Sequence, residues 1–316
     1  MSKKELKMEQ TKIFAIIVTY NAMRRNWIEK CLVSIEASTV PMTAIVIDNG
    51  STDETRSFVP QRFPNTVWLP QEKNLGFGQA NNLGMRYALD HGADYVLLLN
   101  QDATIGQDAI EKMLACSDGQ TLLSPLQLNG VGSQLDAGFK KCLMKCENML
   151  FDDALVSNAL QATYSGPVKG TGNLLPAACW LMPVAVLKSI GGFNPLFFQY
   201  GEDDNYFQRL FYHRIPVRIC PKATMCHDRG EHGNVQTYNN KKSRRLMLRT
   251  AVDINLSFAG RLKEWLQIIK NSYTSDLRRG LYRPGDSLSA MFWLLGKVGR
   301  IRQSRTKERS LGPTWL

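Results

Sequence analysis

The chain has 316 residues, 44% of them hydrophobic, enough for a full core in one large α/β domain with an appendage or in two modest domains, which excludes disorder as a starting point. Its seven cysteines, an odd number at positions 31, 116, 142, 146, 179, 220 and 226, are not the dense, even framework of a small secreted protein and fit a reducing compartment. The net charge of +11 sits in the tail: residues 241–316 hold 17 Lys and Arg against 5 Asp and Glu, and the rest of the chain is close to neutral.

The polar opening MSKKELKMEQTK predicts no signal peptide, and no run reaches the ~18 apolar residues that a membrane-spanning helix needs. IFAIIVTYN (13–21) is a continuous apolar run, expected for a buried parallel strand, that ends in polar residues. A helix is predicted from Asn26 through WIEKCLVSIEAS. TAIVIDNGS (43–51) is a second strand with a polar end. TVWLP (66–70), NLGFG (74–78) and a helix closed by Gly92 form the third unit, and ADYVLLLNQD (93–102) is the fourth strand. Alternating strands and helices with short connections predict an α/β fold with a mainly parallel central sheet, its ligand site beyond the carboxyl ends of the strands. The pattern weakens between 117 and 175. It resumes with a strand and a helix in CWLMPVAVLKSIGGF (179–193), an aromatic loop, an acidic helix start at Glu202, and a strand that ends at His227.

Four groups of residues can carry chemistry. Asp48, Asn49, Gly50 and Ser51, beside Thr19 and Asn21, can hydrogen-bond a base and ribose; the same residue types also build turns and cap helices. Asn100, Gln101 and Asp102 end the fourth strand, where a carboxylate can ligate Mg²⁺ or Mn²⁺ beside a diphosphate or else cap the next helix. Glu202, Asp203 and Asp204 open a helix. The helix dipole favours acids there, and one of the three can also serve as a general base. His227 follows a strand and is either structural or a metal ligand. The isolated cysteine pairs lack the partners of a structural zinc site.

In order and spacing, VTYN (18–21), IDNGSTD (47–53), NLGFGQANNLG (74–84), YVLLLNQD (95–102), the stretch 179–210 and the late His227 resemble the family 2 glycosyltransferases of GT-A type fold, especially the branch with bacterial rhamnosyltransferases. The resemblance implies an inverting transferase using a UDP- or dTDP-sugar such as dTDP-rhamnose, and a glycan or lipid-linked acceptor in cell-surface polysaccharide synthesis. By motif matching, Thr19, Tyr20, Asn21, Asp48, Gly50, Ser51, Asn74, Gly76, Asn100 and Gln101 are expected at the nucleotide. Asp102 and His227 are expected at Mg²⁺ or Mn²⁺, and Asp203 is expected as the base, with Glu202 and Asp204 in support and Asp204 its competitor. Asn100 replaces the first acid of a full DxD, and Asn205 stands where many relatives have Asp. Trp180, Phe198 and Tyr200 are candidates for an aromatic platform under the sugar or acceptor, although such residues also build cores.

The expected organisation is a GT-A domain over 12–240, with a nucleotide-binding half (12–102) and an acceptor-binding half (103–240), followed by a basic helical region over 241–316. Lys- and Arg-rich helices with Trp265, Phe292 and Trp293 as anchors suit the anionic inner face of a cell membrane, or else form a solvated helical cap. The expected place is the cytoplasm, at that face. Two other readings compete with this one. A nucleotidyltransferase usually opens on a glycine-rich phosphate loop, which VTYNAMRRNW lacks. A nucleic-acid-binding protein fits the tail, but not the neutral front and its acidic motifs.

Overall fold

The computed structural model describes residues 11–143, 175–229, 242–271 and 285–316. Eight strands form one sheet: β1 (Ile13–Thr19), β2 (Thr43–Asp48), β3 (Val67–Pro70), β4 (Tyr95–Leu99), β5 (Ala103–Ile105), β6 (Leu122–Asn129), β7 (Cys179–Pro183) and β8 (Val217–His227), in the order β3-β2-β1-β4-β7-β6-β8-β5. The first four strands in that order are parallel. β7 runs antiparallel to both β4 and β6, β6 and β8 are parallel, and β5 closes the edge antiparallel to β8.

The sequence explains the parallel half directly. Side chains alternate across a strand, and in β1 Phe14 and Ile16 enter one core while Ile13, Ala15 and Ile17 enter the other. β4 divides Val96 and Leu98 from Leu97 and Leu99 in the same way. Both faces are covered, so these strands read as unbroken apolar runs. Burying each such side chain contributes about 1.5–3 kcal/mol.

The helices α1 (Trp27–Glu36), α2 (Thr55–Arg62) and α4 (Ala109–Ala115) cover one face. α3 (Phe77–Asp90), α6 (Val184–Ile190) and α7 (Glu202–Tyr212) cover the other, and a short α5 spans Ala137–Leu143. A Cβ at Gly84 of α3 would lie 2.6 Å from Ile16 Cγ2, so only glycine allows α3 this close to the sheet. Asn26 precedes α1, but with φ 54° and no side-chain cap bond; a 3₁₀ turn over Arg24–Asn26 leads into the helix instead.

Four further helices follow: α8 (Lys242–Val252), α9 (Phe258–Asn271), α10 (Gly285–Leu295) and α11 (Val298–Arg309). Met247, Leu248, Ala251, Val252, Ala290, Leu294 and Ile301 form a third core with Phe197 from the aromatic loop. α11 is tied into the domain itself. Its buried Glu308 lies 3.9 Å from Arg209 of α7 and accepts hydrogen bonds from Asn194 (2.6 Å) and Asn205 (3.2 Å). Past α11, Thr314 O accepts from Gly192 N at 2.8 Å. The expected boundary at 240/241 lies outside the described residues, as do Cys146 and Lys241.

Candidate functional site

The parallel strands end on a common rim, knitted together by polar contacts. Thr19 pairs in register with Asp48. Tyr20 N donates to Gln101 Oε1 (2.8 Å), and Asn21 N to Ser51 Oγ (2.9 Å). Asn21 has φ 51°, which points its Oδ1 at Thr52 N (2.8 Å). Asn49 Nδ2 donates to Asn74 Oδ1 (3.0 Å), and Asn49 Oδ1 accepts from Leu75 N (2.8 Å). Gly76, at φ +85°, brings its backbone so near the aromatic loop that a Cβ would lie 2.0 Å from Phe198 O. A Cβ on Gly78 would lie 3.5 Å from Glu202 Cβ. The 74–78 loop therefore joins the strand rim to the acidic helix α7.

At the other end of the rim, β5 and β8 bring two distant segments together. Ala103 pairs with His227, so Asp102 lies against the end of β8, and Asp102 O accepts from Asp228 N at 2.8 Å. His227 Nε2 sits 3.3 Å from Asp102 Oδ1, with side chains 5% and 18% exposed, and 3.5 Å from Asn100 Nδ2. Asn100 Oδ1 and His227 Nδ1 are buried with no hydrogen-bond partner. Asp102 does not cap a helix, because β5 comes between it and α4. Among the described residues no group of three or more His, Cys, Asp or Glu is placed to hold a metal. One carboxylate, one imidazole and an unpartnered amide oxygen nevertheless fit a hard cation that takes its remaining oxygens from a diphosphate and water.

On α7 the three acids differ. Asp204 Oδ2 is 3.0 Å from Arg249 Nη1 of α8. Glu202 is buried, with Oε2 unpartnered, and burial followed by the charge of Asp203 pushes its carboxyl up to about 8. Asp203 is half-buried; burial first, then Asp204, pushes it up to about 7. Desolvation thus outweighs the helix dipole, which by itself would favour the ionised form. With Asp204 held by a guanidinium, Asp203 is the acid suited to accept a proton near neutral pH.

Two expectations need correction. Trp180 is fully buried, stacked with Phe193 and packed on Tyr206 and Phe207, so it is a core residue and offers no platform. Phe198 and Tyr200 are 56% and 46% exposed, with Arg245 over the Tyr200 ring. Thr19 is also buried, and its hydroxyl donates to Ile47 O (3.4 Å), so it supports the strand end from beneath. Asp48 is buried beside Arg56 (3.2 Å) and its Oδ1 accepts from Ser51 N (3.2 Å), while its Oδ2 has no hydrogen-bond partner. Neither Asp48 nor Ser51 caps α2, because Asp53 Oδ1 takes Thr55 N instead.

Sequence reasoning missed Arg56, the contact of Arg249 with Asp204, and the Arg209–Glu308 pair. Only Asn205 gave a hint: the amide that replaces the family's acid donates to Glu308, where a second carboxylate would be repelled.

Residues 14–118 match the family model described as glycosyl transferase family 2. That stretch is a family 2 glycosyltransferase region. Over 202 residues it is 28% identical to the N-acetylglucosaminyl-diphospho-decaprenol L-rhamnosyltransferase of Mycobacterium tuberculosis, covering 58% of this chain and 66% of that one; the match thus spans just under two thirds of the relative's length. Two solved structures resemble the fold of this glycosyltransferase. S. aureus TarS 1-349 in complex with UDP has a TM-score of 0.55 at 14% identity, covering 95% of this chain and 88% of that one. The mannosyltransferase PcManGT of Pyrobaculum calidifontis, in complex with GDP-Man and Mn2+, has a TM-score of 0.55 at 16% identity, covering 94% and 84%. The architecture is that of a GT-A type glycosyltransferase, and no helix among the described residues is long and apolar enough to cross a membrane.

Proposed function

We propose that this glycosyltransferase inverts the anomeric centre of a dTDP- or UDP-linked sugar, with rhamnose the leading candidate, as it transfers that sugar to a hydroxyl of a saccharide carried on a lipid diphosphate. The reaction would serve cell-surface polysaccharide synthesis at the inner face of the membrane. The observation that carries the reading is the rim itself, which links the Asp102–His227 pair at one end to a half-buried Asp203 at the other. The mycobacterial relative supports the sugar and the acceptor class. The UDP and GDP-Man complexes of the structural neighbours support a nucleotide donor.

In this reading Asn21, Gly50, Asn74 and Gly76 frame the nucleotide, and Asp48 holds the turn that shapes its pocket. Asp102 and His227 would hold Mg²⁺ or Mn²⁺, which when bound offsets the charge that grows on the leaving diphosphate. Asp203 takes the proton of the acceptor hydroxyl as its oxygen attacks the anomeric carbon. The bond from that carbon to the diphosphate oxygen breaks on the opposite face, which inverts the centre. Burial, and then the charge of Asp204, keep the Asp203 carboxyl basic.

A panel of nucleotide sugars tests this, with released nucleoside diphosphate measured with Mg²⁺ or Mn²⁺ and again with chelator. Metal-dependent release from a dTDP- or UDP-sugar is expected; no release from any donor overturns the reading.

A further inference from the structure

The C-terminal helices enclose a cavity of about 580 Å³ that is open to solvent. α9 lines it with one stripe, Phe258, Leu262, Trp265, Leu266 and Ile269, at helical spacing, and α10 adds Met291, Leu294 and Leu295. None of the residues of α9 is buried, and Leu266 and Leu295 are 60% and 65% exposed. An exposed apolar concavity of this kind marks a binding surface.

Its chemistry is not only apolar. Arg302, Arg305 and Arg309 project from one face of α11, and Arg261 faces them from α9. Burial, then Arg261 and Arg309, lowers Arg305 to about 10 against only Asp253 and Glu308, and Glu308 is engaged by Arg209, Asn194 and Asn205. Arg305 is buried and donates to the carbonyls of Ala251, Asp253 and Leu256, which leaves Arg261, Arg302 and Arg309 along one side of a greasy trough. An apolar chain that ends in phosphate complements both features, because guanidinium groups pair with phosphate in bidentate fashion and the trough takes the chain out of water.

We infer that the α9–α10–α11 groove is the seat of the acceptor's lipid end, with the diphosphate on Arg261, Arg302 and Arg309 and the first units of the isoprenoid chain against Leu262, Leu266 and Leu295. The inference rests on the acceptor class proposed above and adds where its lipid end binds. A concave groove takes a single chain, whereas a bilayer surface needs a flat or convex face. The same bundle reaches the acidic helix through Arg249 on Asp204, which joins the helices of the groove to the element that carries Asp203.

The test uses the full chain and farnesyl diphosphate as a soluble probe, read by calorimetry and by tryptophan fluorescence, to which Trp265 in the groove contributes. Farnesyl diphosphate is expected to bind at least about tenfold more tightly than inorganic pyrophosphate or farnesol. Leu266→Glu and the double variant Arg302→Ala/Arg309→Ala change exposed side chains, and each is expected to weaken binding about tenfold or more with an unchanged circular dichroism spectrum. Equal affinity for pyrophosphate alone overturns the inference, as does unweakened binding in both variants. So does complete displacement of the probe by phosphatidylglycerol vesicles free of isoprenoid, which would assign the groove to the bilayer surface. Donor hydrolysis separates the two readings: hydrolysis by a chain that binds no farnesyl diphosphate sinks the groove alone, and farnesyl diphosphate binding by a chain that hydrolyses no donor sinks the activity and leaves the groove.

Discussion

His227 Nε2 lies 3.3 Å from Asp102 Oδ1 although 124 residues separate the two in sequence. The antiparallel pairing of Ala103 with His227 creates this contact, and the proposed cation site rests on it. Asp102→Asn is expected to abolish the metal dependence of donor binding, and His227→Ala to weaken Mn²⁺ affinity about 10- to 100-fold. Calorimetric titration of nucleotide plus Mn²⁺ checks both; wild-type affinity in Asp102→Asn would remove the site.

The activity should follow the titration of Asp203. Its carboxyl is pushed up to about 7, and a general base works only when deprotonated, so kcat/KM rises with pH through about 7 and levels off above it. At pH 6 about a tenth of the plateau remains. Arg249→Ala should move the inflection to higher pH, because the unpaired charge on Asp204 then opposes ionisation of its neighbour. A profile flat from about pH 5 to 8 would show an ordinary aspartate, or none, at work.

The buried Arg209–Glu308 pair is expected to anchor α11 beneath the acidic helix. Removing one partner of such a pair leaves an uncompensated charge, so Glu308→Ala should cost about 3–5 kcal/mol of unfolding free energy, while Arg209→Met with Glu308→Leu recovers only part of it, because Asn194, Asn205 and the carbonyls of Ile190 and Gly192 lose their partners. Urea denaturation of the three chains measures this. A loss under about 1 kcal/mol in Glu308→Ala would mean that the helix is only a solvated appendage.

Gly76 has no room for a side chain, with φ +85° and Phe198 O 2.0 Å from a built Cβ. Gly76→Ala must separate the 74–78 loop from the aromatic loop, with a strain cost of about 1–3 kcal/mol. Donor affinity should fall about tenfold or more, read by the same titration; unchanged affinity would take this loop out of the donor site.

Much of the parallel half was legible because its signal is local. β1 and β4 bury both faces and so announce themselves as apolar runs, each stopping at the polar rim where the site lies. The acidic start of α7 and the strand before His227 were legible for the same reason. The less readable features depend on contacts between segments far apart. No spacing within 216–228 says that β8 pairs with β5, and therefore that His227 meets Asp102. Trp180 carries the same aromatic signal as Phe198; only the packing of Phe193, Tyr206 and Phe207 around it decides that it is core. Glu308 lies in VGRIRQSRTKER, which reads as solvated charge, and its burial becomes visible only once Arg209 is seen opposite.

Single-turnover kinetics of Asp203→Asn beside the wild-type chain, with donor affinity measured on the same samples, tests the central claim most directly. The account predicts turnover lower by about a hundredfold or more with donor affinity changed less than about threefold, because the lost group acts only on the acceptor proton in the transition state. Near-normal turnover in that variant would contradict it.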